Sequence, residues 1–342
     1  MAKVAPVQRR KAEHLRINLE QDVASARTTG LENLSFTHEA LPELSLEAVD
    51  TSLELFGRRL KAPLLISSMT GGTPEAGRIN QRLARAASAA GIALGVGSQR
   101  AALEEPGLAA SFQVRRYAPD VLLFANLGAA QLNYGFGLEE CLRAVSMVEA
   151  DALILHLNPL QEALQVGGNT DLRGLAKKIG QICRGLGVPV VVKEVGWGIS
   201  ERTAKLLQEA GVAAIDVAGA GGTSWSQVEM HRAPDEFMRL LAGSFVAWGI
   251  PTADSIAIVR RAAPGTPIFA SGGLRDGIDV AKCIALGATL AGMAGPLLRA
   301  AATSTHQATA AIRLIAQQLR VTMFATGAPN LQSLGRVRLQ AS

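Results

Sequence analysis

The chain has 342 residues, 48% apolar, 4% aromatic and 18% charged, with a formal net charge of +5. That balance belongs to a globular protein with enough chain for a large core. Three cysteines, Cys141, Cys183 and Cys283, form neither a disulfide framework nor a metal-ligand spacing, so a reducing compartment fits best. The charge comes without a dense basic run or interleaved aromatics, which argues against a nucleic-acid partner; it suits an anionic small-molecule substrate and plain solubility equally.

In chain order, the opening MAKVAPVQRRKAEHLRINLEQDV is polar and lacks the apolar core of a secretory signal. From residue 63 onward short apolar runs recur: PLLISSM (63–69), IALGVGS (92–98), VLLFANL (121–127), ALILHLN (152–158), PVVVKEV (189–195), AAIDVAG (213–219), PIFASGG (267–273) and TLAGMAG (289–295). Their continuous rather than alternating apolar character predicts strands buried on both faces, as in a parallel sheet covered by helices. Between them, Gly77–Gly91 reads as a helix with Ile79, Leu83, Ala86, Ala87 and Ala90 on one face and Gly91 ending it. In DGIDVAKCIALG, Asp276 is the expected cap, Ile278, Ala281, Cys283 and Ile284 the packed face, and Gly287 the stop.

Eight such alternations predict a single α/β domain over residues 1–342, a closed (β/α)₈ TIM barrel whose residues 1–60 cover its mouth or end. The rival open sheet needs a GxGxxG turn, and SSMTGGTPEAG after the first strand does not supply it. No element is expected in the tail from about residue 325. The longest uncharged stretch, 283–298, is broken by three glycines and Pro296, too interrupted to span a bilayer, so a cytoplasmic protein without a membrane partner is expected.

A barrel keeps its chemistry at the C-terminal ends of its strands, where this chain places Ser68, Met69, Thr70, Ser98, Gln99, Arg100, Asn126, His156, Asn158, Gln161, Glu162, Lys193, Glu194, Asp216, Ser271 and Arg275. Glycine clusters after the last two strands, SGGLRDG (271–277) and AGMAGP (291–296), serve tight turns or, the favoured reading, a phosphate-bearing cofactor held by backbone N–H groups. Lys193 ends an apolar strand and needs an anion: Asp216 or Glu194 in the chain, although alternation along the strand points Glu194 away from it, or equally a reduced flavin or a carboxylate substrate. Glu162 is either a Mg²⁺ ligand or a favourable charge in a first helical turn. His156 reads as a core histidine or a catalyst, and the run Arg9, Arg10, Lys11, His14 as a solvated face or a lid for a diphosphate. Trp197, Trp225 and Trp248 mark a site wall or an interface, and a homo-oligomer is expected.

The motifs RKAEH, SSMTGG, GVGSQR, NLG, HLNPLQE, VVKEVGWG, GAGGTSW, SGGLRDG and GMAGP, in that order, resemble type 2 isopentenyl-diphosphate Delta-isomerases from about residue 9 to 325. SGG alone is common among flavin barrels, whereas HLNPLQE with an N-terminal RKxEH is distinctive. The resemblance implies an FMN-dependent barrel interconverting isopentenyl and dimethylallyl diphosphate with reduced flavin, NADPH as electron source and Mg²⁺. It assigns FMN to Ser68, Met69, Thr70, Ser98, Asn126, Lys193 and Thr223, with Gly272, Gly273, Arg275, Ala294 and Gly295 around its phosphate. It assigns the prenyl diphosphate to Arg10, Lys11, His14, Ser98, Gln99, Arg100, His156, Asn158 and Gln161, and Mg²⁺ to Glu162. Gln161 and Lys193 are then the expected catalytic residues, Lys193 balancing the flavin's negative charge and Gln161 orienting or relaying a proton.

One departure stands before GAGGTSW, where Ala218 replaces a frequent serine; a lost flavin hydrogen bond there is worth about 0.5–1.5 kcal/mol. The alternatives are a 2-hydroxy-acid oxidase, for which His231 and Arg232 would be the base and anion partner, and a catalytically silent flavin-binding barrel.

Overall fold

A computed structural model describes residues 6–341; residues 1–5 and 342, the two ends of the expected unit, lie outside the described residues. All eight predicted strands form: β1 (Leu64–Ile66), β2 (Ala93–Gly95), β3 (Leu123–Gly128), β4 (Ala152–His156), β5 (Val190–Lys193), β6 (Ala214–Asp216), β7 (Ile268–Ser271) and β8 (Leu290–Met293). They pair in chain order, all in parallel, and β8 returns to β1 through Ala291↔Leu64 and Gly292↔Leu65, closing the barrel.

The runs are apolar throughout because both faces of every strand are buried. Leu65, Ala93, Phe124, Ile154, Val191, Ala214, Phe269 and Leu290 point inward and pack as one cluster. Their neighbours, such as Leu64, Leu94, Leu123, Leu153, Val192 and Ile268, point outward into a larger core shared with the helices. Since side chains alternate with period two, the next inward positions are Ser67, Asn126, His156, Lys193, Asp216, Ser271 and Gly292. The barrel is therefore apolar below and polar at its C-terminal rim.

Segment 1–60 serves both ends of the barrel. Helix α1 (Pro6–Glu20) lies at the C-terminal mouth, against α6 (Trp225–Arg232) and α9 (Gly295–Thr303). The hairpin Leu53–Leu55/Arg58–Leu60 closes the opposite end. Its turn residues Phe56 and Gly57 have φ of 49° and 75°, the paired positive values of a type I′ turn. That turn aims Phe56 at Phe124 and Phe269, with ring centroids 6.3 Å from each.

Helix α2 (Pro74–Ala90) starts one turn earlier than expected, because Thr73 accepts a hydrogen bond from Ala76 N and Pro74 occupies the first position; Gly91 ends it at φ 66°. In α8 (Gly277–Leu286), Asp276 caps and Ala281, Cys283 and Ile284 are buried as expected, but Ile278 is 45% exposed. The packed face runs through Gly277, whose missing Cβ would sit 2.2 Å from Ile315 O of the long helix Thr305–Ala325. Close backbone packing at a glycine, which hydrophobic pattern does not register, rotates Ile278 outward. The tail holds two short elements that were not expected: a helical turn, Leu331–Leu334, and a strand, Leu339–Ala341, paired antiparallel with Leu34–Phe36. That strand's partner lies some three hundred residues away, so no local signal announces it.

Replacing Phe124, fully buried between Phe56 and Phe269, with alanine is expected to cost about 3–5 kcal/mol in urea-induced unfolding, the usual toll of a large-to-small change in a close-packed core.

Candidate active site

Alternation along β5 turns Lys193 into the barrel and Glu194 out of it. Lys193 Nζ donates to Ser271 Oγ at 3.1 Å and lies 3.3 Å from Asp216 Oδ2; Ser271 Oγ donates in turn to Asp216 Oδ1 at 2.6 Å. Of the two carboxylates open to Lys193, Asp216 is thus its partner. Glu194 Oε2 instead accepts the N–H groups of Val195, Gly196 and Trp197 at 2.6–2.7 Å, tying off the loop that leaves the strand. Burial pushes Glu194 up to about 7 against the pull of those three donors.

Across the mouth, His156 Nδ1 is 2.9 Å from Asn126 Oδ1. Burial, then the charges of Lys11 and Lys193, lower the His156 pKa to about 3, so the ring is neutral. The hydroxyls of Ser67 and Ser68 are buried with no hydrogen-bond partner among the described residues. Beside them Gly292 keeps the mouth open: a Cβ there would stand 2.5 Å from Ser67 Oγ and 2.9 Å from Ser271 Cβ. Thr70 is buried, its carbonyl accepting from Gly97 N and Asn80 Nδ2, and Met69 packs against the outer core.

The glycine cluster after β7 makes a tight turn. Gly272 has φ 103°, and a Cβ on it would fall 2.1 Å from Gly219 O, so the turns after β6 and β7 meet backbone to backbone. Thr223 lies on the same β6 turn, bridged to Ala24. Ala218 is buried at φ 35°, a left-handed value unusual for alanine, and its carbonyl accepts from Gly198 N. After β8, Ala294 and Gly295 open directly into the N-terminus of α9. Arg275 lies at this rim with its side chain 67% exposed and paired to Asp279 at 3.1 Å.

The HLNPLQE turn and α1 form the opposite wall. Asn158 Nδ2 donates to Gln161 Oε1 (3.1 Å) and Glu162 Oε1 (3.0 Å), while Glu162 Oε2 accepts from Asn169 N. Gln161 Nε2 donates to Glu229 Oε1 at 2.9 Å. His14 stacks edge-on against Trp225, with Nε2 3.3 Å from the same Glu229 oxygen. Lys11 Nζ reaches Ser98 O at 3.2 Å; burial, followed by Arg10 and Arg100, lowers its pKa to about 8. Burial, Arg100 and Arg232 likewise lower Arg10, with Glu162 and Glu229 pulling the other way. Arg10, Lys11, His14 and Arg100 therefore converge on one face of the mouth, although Arg100 also pairs with Glu104 at 2.7 Å.

Gln99 is not part of that face. It is fully buried, donating to Ala144 O and accepting from Asn126 N, so its amide knits β3 to helix Leu138–Val148 behind the barrel wall. In its place stand two groups to which sequence reading assigned no site role, Ser67 and Glu229, together with Arg232, which it weighed only as the anion partner of the oxidase alternative. Glu229 is 4% exposed inside α6, in a helix where Ser226, Gln227, Val228 and Glu229 are all buried, so no amphipathic period singles it out. Burial opposes its ionisation, but His14, Gln161 and Arg232 together hold it below the ordinary carboxylate range. Among the tryptophans, Trp225 is a site wall, Trp197 is buried, and Trp248 is 59% exposed beside Phe245. No group of three or more metal-ligating side chains exists among the described residues.

The barrel and its rim are those of the flavin-dependent barrel class: residues 158–341 match the family described as FMN-dependent dehydrogenase. The fold aligns with a mandelate oxidase variant carrying a monooxide FMN adduct (TM-score 0.69, 19% identity, 99% of this chain and 100% of that one). A mandelate oxidase with benzoyl-formic acid aligns similarly (TM-score 0.68, 19% identity, 98% and 97%). Over 331 residues the chain is 55% identical to an isopentenyl-diphosphate delta-isomerase of Nostoc sp., covering 96% of this chain and 95% of that one. It is 49% identical to that of Rickettsia felis (97% and 96%) and 53% identical to that of Stutzerimonas stutzeri (96% and 96%). The chain belongs to the isopentenyl-diphosphate delta-isomerase family.

Asp216→Asn leaves the Lys193 ammonium without its counter-charge inside the barrel and is expected to cost about 3–5 kcal/mol, read as a lowered urea midpoint. An unchanged midpoint would show that the pair is not what holds Lys193.

Proposed function

We propose that this chain interconverts isopentenyl and dimethylallyl diphosphate by an allylic proton shift that uses reduced FMN. The observation that carries the reading is the placement of α1, which sets Arg10, Lys11 and His14 beside Arg100 over a mouth that also holds Gln161. A diphosphate clamp and a buried proton-handling amide thus share one chamber.

FMN fits the residues present. The partnerless hydroxyls of Ser67 and Ser68, the gap at Gly292, the glycine turn at Gly272 and Gly273 and the start of α9 all face the rim where a flavin and its phosphate would lie. Ser68, Met69, Thr70, Ser98, Asn126, Lys193 and Thr223 would hold the ring side, and Gly272, Gly273, Ala294 and Gly295 the phosphate, with Arg275 at its outer edge. When bound and reduced, FMN supplies an electron-rich surface that stabilises the positive charge developing on the prenyl chain. Lys193, fixed by Asp216 and Ser271, places a cation where that ring's negative charge would fall. Gln161 presents its amide to the prenyl carbons, with Nε2 anchored on Glu229 Oε1 and Oε1 on Asn158 Nδ2. Glu229, ionised at neutral pH, is the acceptor behind that amide. Closure of α1 excludes water.

Glu162 is a single carboxylate, so a Mg²⁺ there would take its remaining ligands from the diphosphate and water rather than from the protein. NADPH would be the electron source that reduces the flavin. A homo-oligomer is proposed on the exposed side chains of Phe237 (74%), Leu240 (59%) and Trp248 (59%). A cytoplasmic setting completes the reading; among the described residues no helix is long and apolar enough to cross a membrane. The oxidase alternative loses its residues: His231 is exposed, and Arg232 is engaged by Glu13 and Glu229.

Anaerobic incubation of isopentenyl diphosphate with the protein, Mg²⁺ and FMN should yield dimethylallyl diphosphate only when NADPH or dithionite is added; no product with tightly bound, reduced flavin would overturn the proposal. Lys193→Ala and Gln161→Ala should each lower kcat by about 100-fold or more with FMN still bound, the range of a lost electrostatic or acid–base group. Full turnover in either variant removes that residue from the mechanism.

The pH behaviour of binding tests the clamp. Lys11 is neutral in the free protein above pH about 8, and a diphosphate beside it favours the ammonium. Binding of inorganic pyrophosphate should therefore take up protons between about pH 8 and Lys11's ordinary value near 10.4, approaching one per site. Calorimetry in two buffers of different ionisation enthalpy measures this, and Lys11→Met should abolish the uptake.

A further inference from the structure

Arg232 faces two carboxylates on different elements. Its Nε lies 3.2 Å from Glu13 Oε2 on α1, and its NH1 lies 2.5 Å from Glu229 Oε2 on its own helix, α6. Glu229 divides its oxygens in the same manner: Oε2 goes to Arg232, while Oε1 receives Gln161 Nε2 at 2.9 Å and stands 3.3 Å from His14 Nε2. A continuous chain of contacts therefore runs from α1 through Glu13, Arg232 and Glu229 to Gln161. Apolar support for α1 comes from Leu15, buried in the main core, and, beside α6, from a satellite cluster of Ile17, Val23 and Val228 with Trp225 at its edge. Arg232 is only 17% exposed and Glu229 2%, so their pairing is shielded from solvent, whereas Glu13 at 30% is the outer end of the chain.

We propose that Arg232 is a positioning residue that couples docking of α1 over the mouth to the orientation of Gln161. The proposal rests on the isomerase reading above. A guanidinium suits the task because its planar fork holds two carboxylates at once in fixed directions, which a lysine ammonium cannot reproduce. With α1 docked, Glu13 and Glu229 share that fork, and Glu229 Oε1 is left aimed at Gln161. With α1 lifted, Arg232 loses one of its two anchors, and the carboxylate that sets Gln161 is no longer held from behind. The clamp that binds diphosphate and the amide that handles the proton would thus be set together, so that the proton-handling group is in place only when the mouth is closed.

The test uses the full chain loaded with FMN and compares Arg232→Ala, Arg232→Lys, Glu13→Gln and the double variant Glu13→Gln/Arg232→Ala with wild type. The first readout needs no turnover: the rate of tryptic cleavage after Arg9, Arg10, Lys11 and Arg16, followed by mass spectrometry, with and without inorganic pyrophosphate. Both Arg232→Ala and Glu13→Gln should be cut several-fold faster than wild type, and the double variant should fall short of the product of the two effects, because both changes break the Glu13–Arg232 link while Glu13→Gln also removes the Arg9–Glu13 pair. The second readout is the kinetic split. Glu13→Gln should act mainly on KM, whereas Arg232→Ala should also lower kcat by about 10- to 100-fold, the toll of a misplaced catalytic group, with Arg232→Lys failing to restore it.

Protection of α1 equal to wild type in both single variants, or a kcat unaffected by Arg232→Ala, overturns the coupling. A kcat fully restored by lysine overturns the role assigned to the fork. If wild type itself gives no dimethylallyl diphosphate, the isomerase reading fails and the proposal with it; wild-type turnover with an indifferent Arg232→Ala sinks the proposal alone. Should Arg232→Ala lose its melting transition, Glu13→Gln, a change at a part-exposed side chain, decides through the cleavage rates.

Discussion

An ammonium inside a barrel loses the hydration that stabilised it in water, and only a nearby anion with fixed hydrogen bonds offsets that loss. Lys193 meets this condition through Asp216 and Ser271, each one strand or two away, with Ser271 donating to the carboxylate that faces the lysine. The arrangement requires strands in the correct register, because Lys193↔Asp216 are paired neighbours across β5 and β6. A slip of one residue would turn Lys193 into the helix layer and Glu194 into the barrel. The rest of the mouth follows the same parity, which is why Asn126, His156 and Ser271 share a rim with Lys193 while Leu127, Leu155 and Ala270 pack outside.

Below the rim the barrel has to be filled, and here a distant segment completes it. Phe56 enters from a hairpin outside the β/α alternation and meets Phe124 and Phe269 edge-on or tilted. Above the rim another part of the same N-terminal segment supplies the cationic face. The two halves use different physics: the lower contact is apolar and buried, whereas α1 sets Leu15 into the main core and Ile17 into a small satellite cluster and adds hydrogen bonds and charge pairs through Lys11, Glu13 and His14. A helix held in the second manner responds to the charge of what lies beneath it, which suits a part that must admit and release an anion.

The eight strands were legible because burial on both faces leaves uninterrupted apolar runs, and their polar ends were legible because a barrel has only one mouth. Asn126, His156, Lys193, Asp216 and Ser271 could each be placed at that mouth from position alone. Gln99 could not: it closes an apolar run like the others, yet its amide finds Ala144 O and Asn126 N behind the wall, a choice between two faces that a residue just past a strand does not reveal. Ile278 misled for a related reason, since the packing of α8 is governed by backbone contact at Gly277 rather than by its apolar stripe.

Sequence by itself determined the barrel, the polar rim, the glycine turns at its edge, and, through HLNPLQE and RKAEH, the family. These are properties of local pattern: period, composition and short spacing survive without knowledge of the fold. Tertiary structure alone decided that Ser271 joins Asp216 in holding Lys193, that residues 6–60 serve both ends of the barrel, and that Glu13, Arg232, Glu229 and Gln161 form one chain of contacts. Each of those depends on elements far apart in sequence being brought within 3–4 Å, where charge and hydrogen bonding act, and no local pattern encodes a distance of that kind.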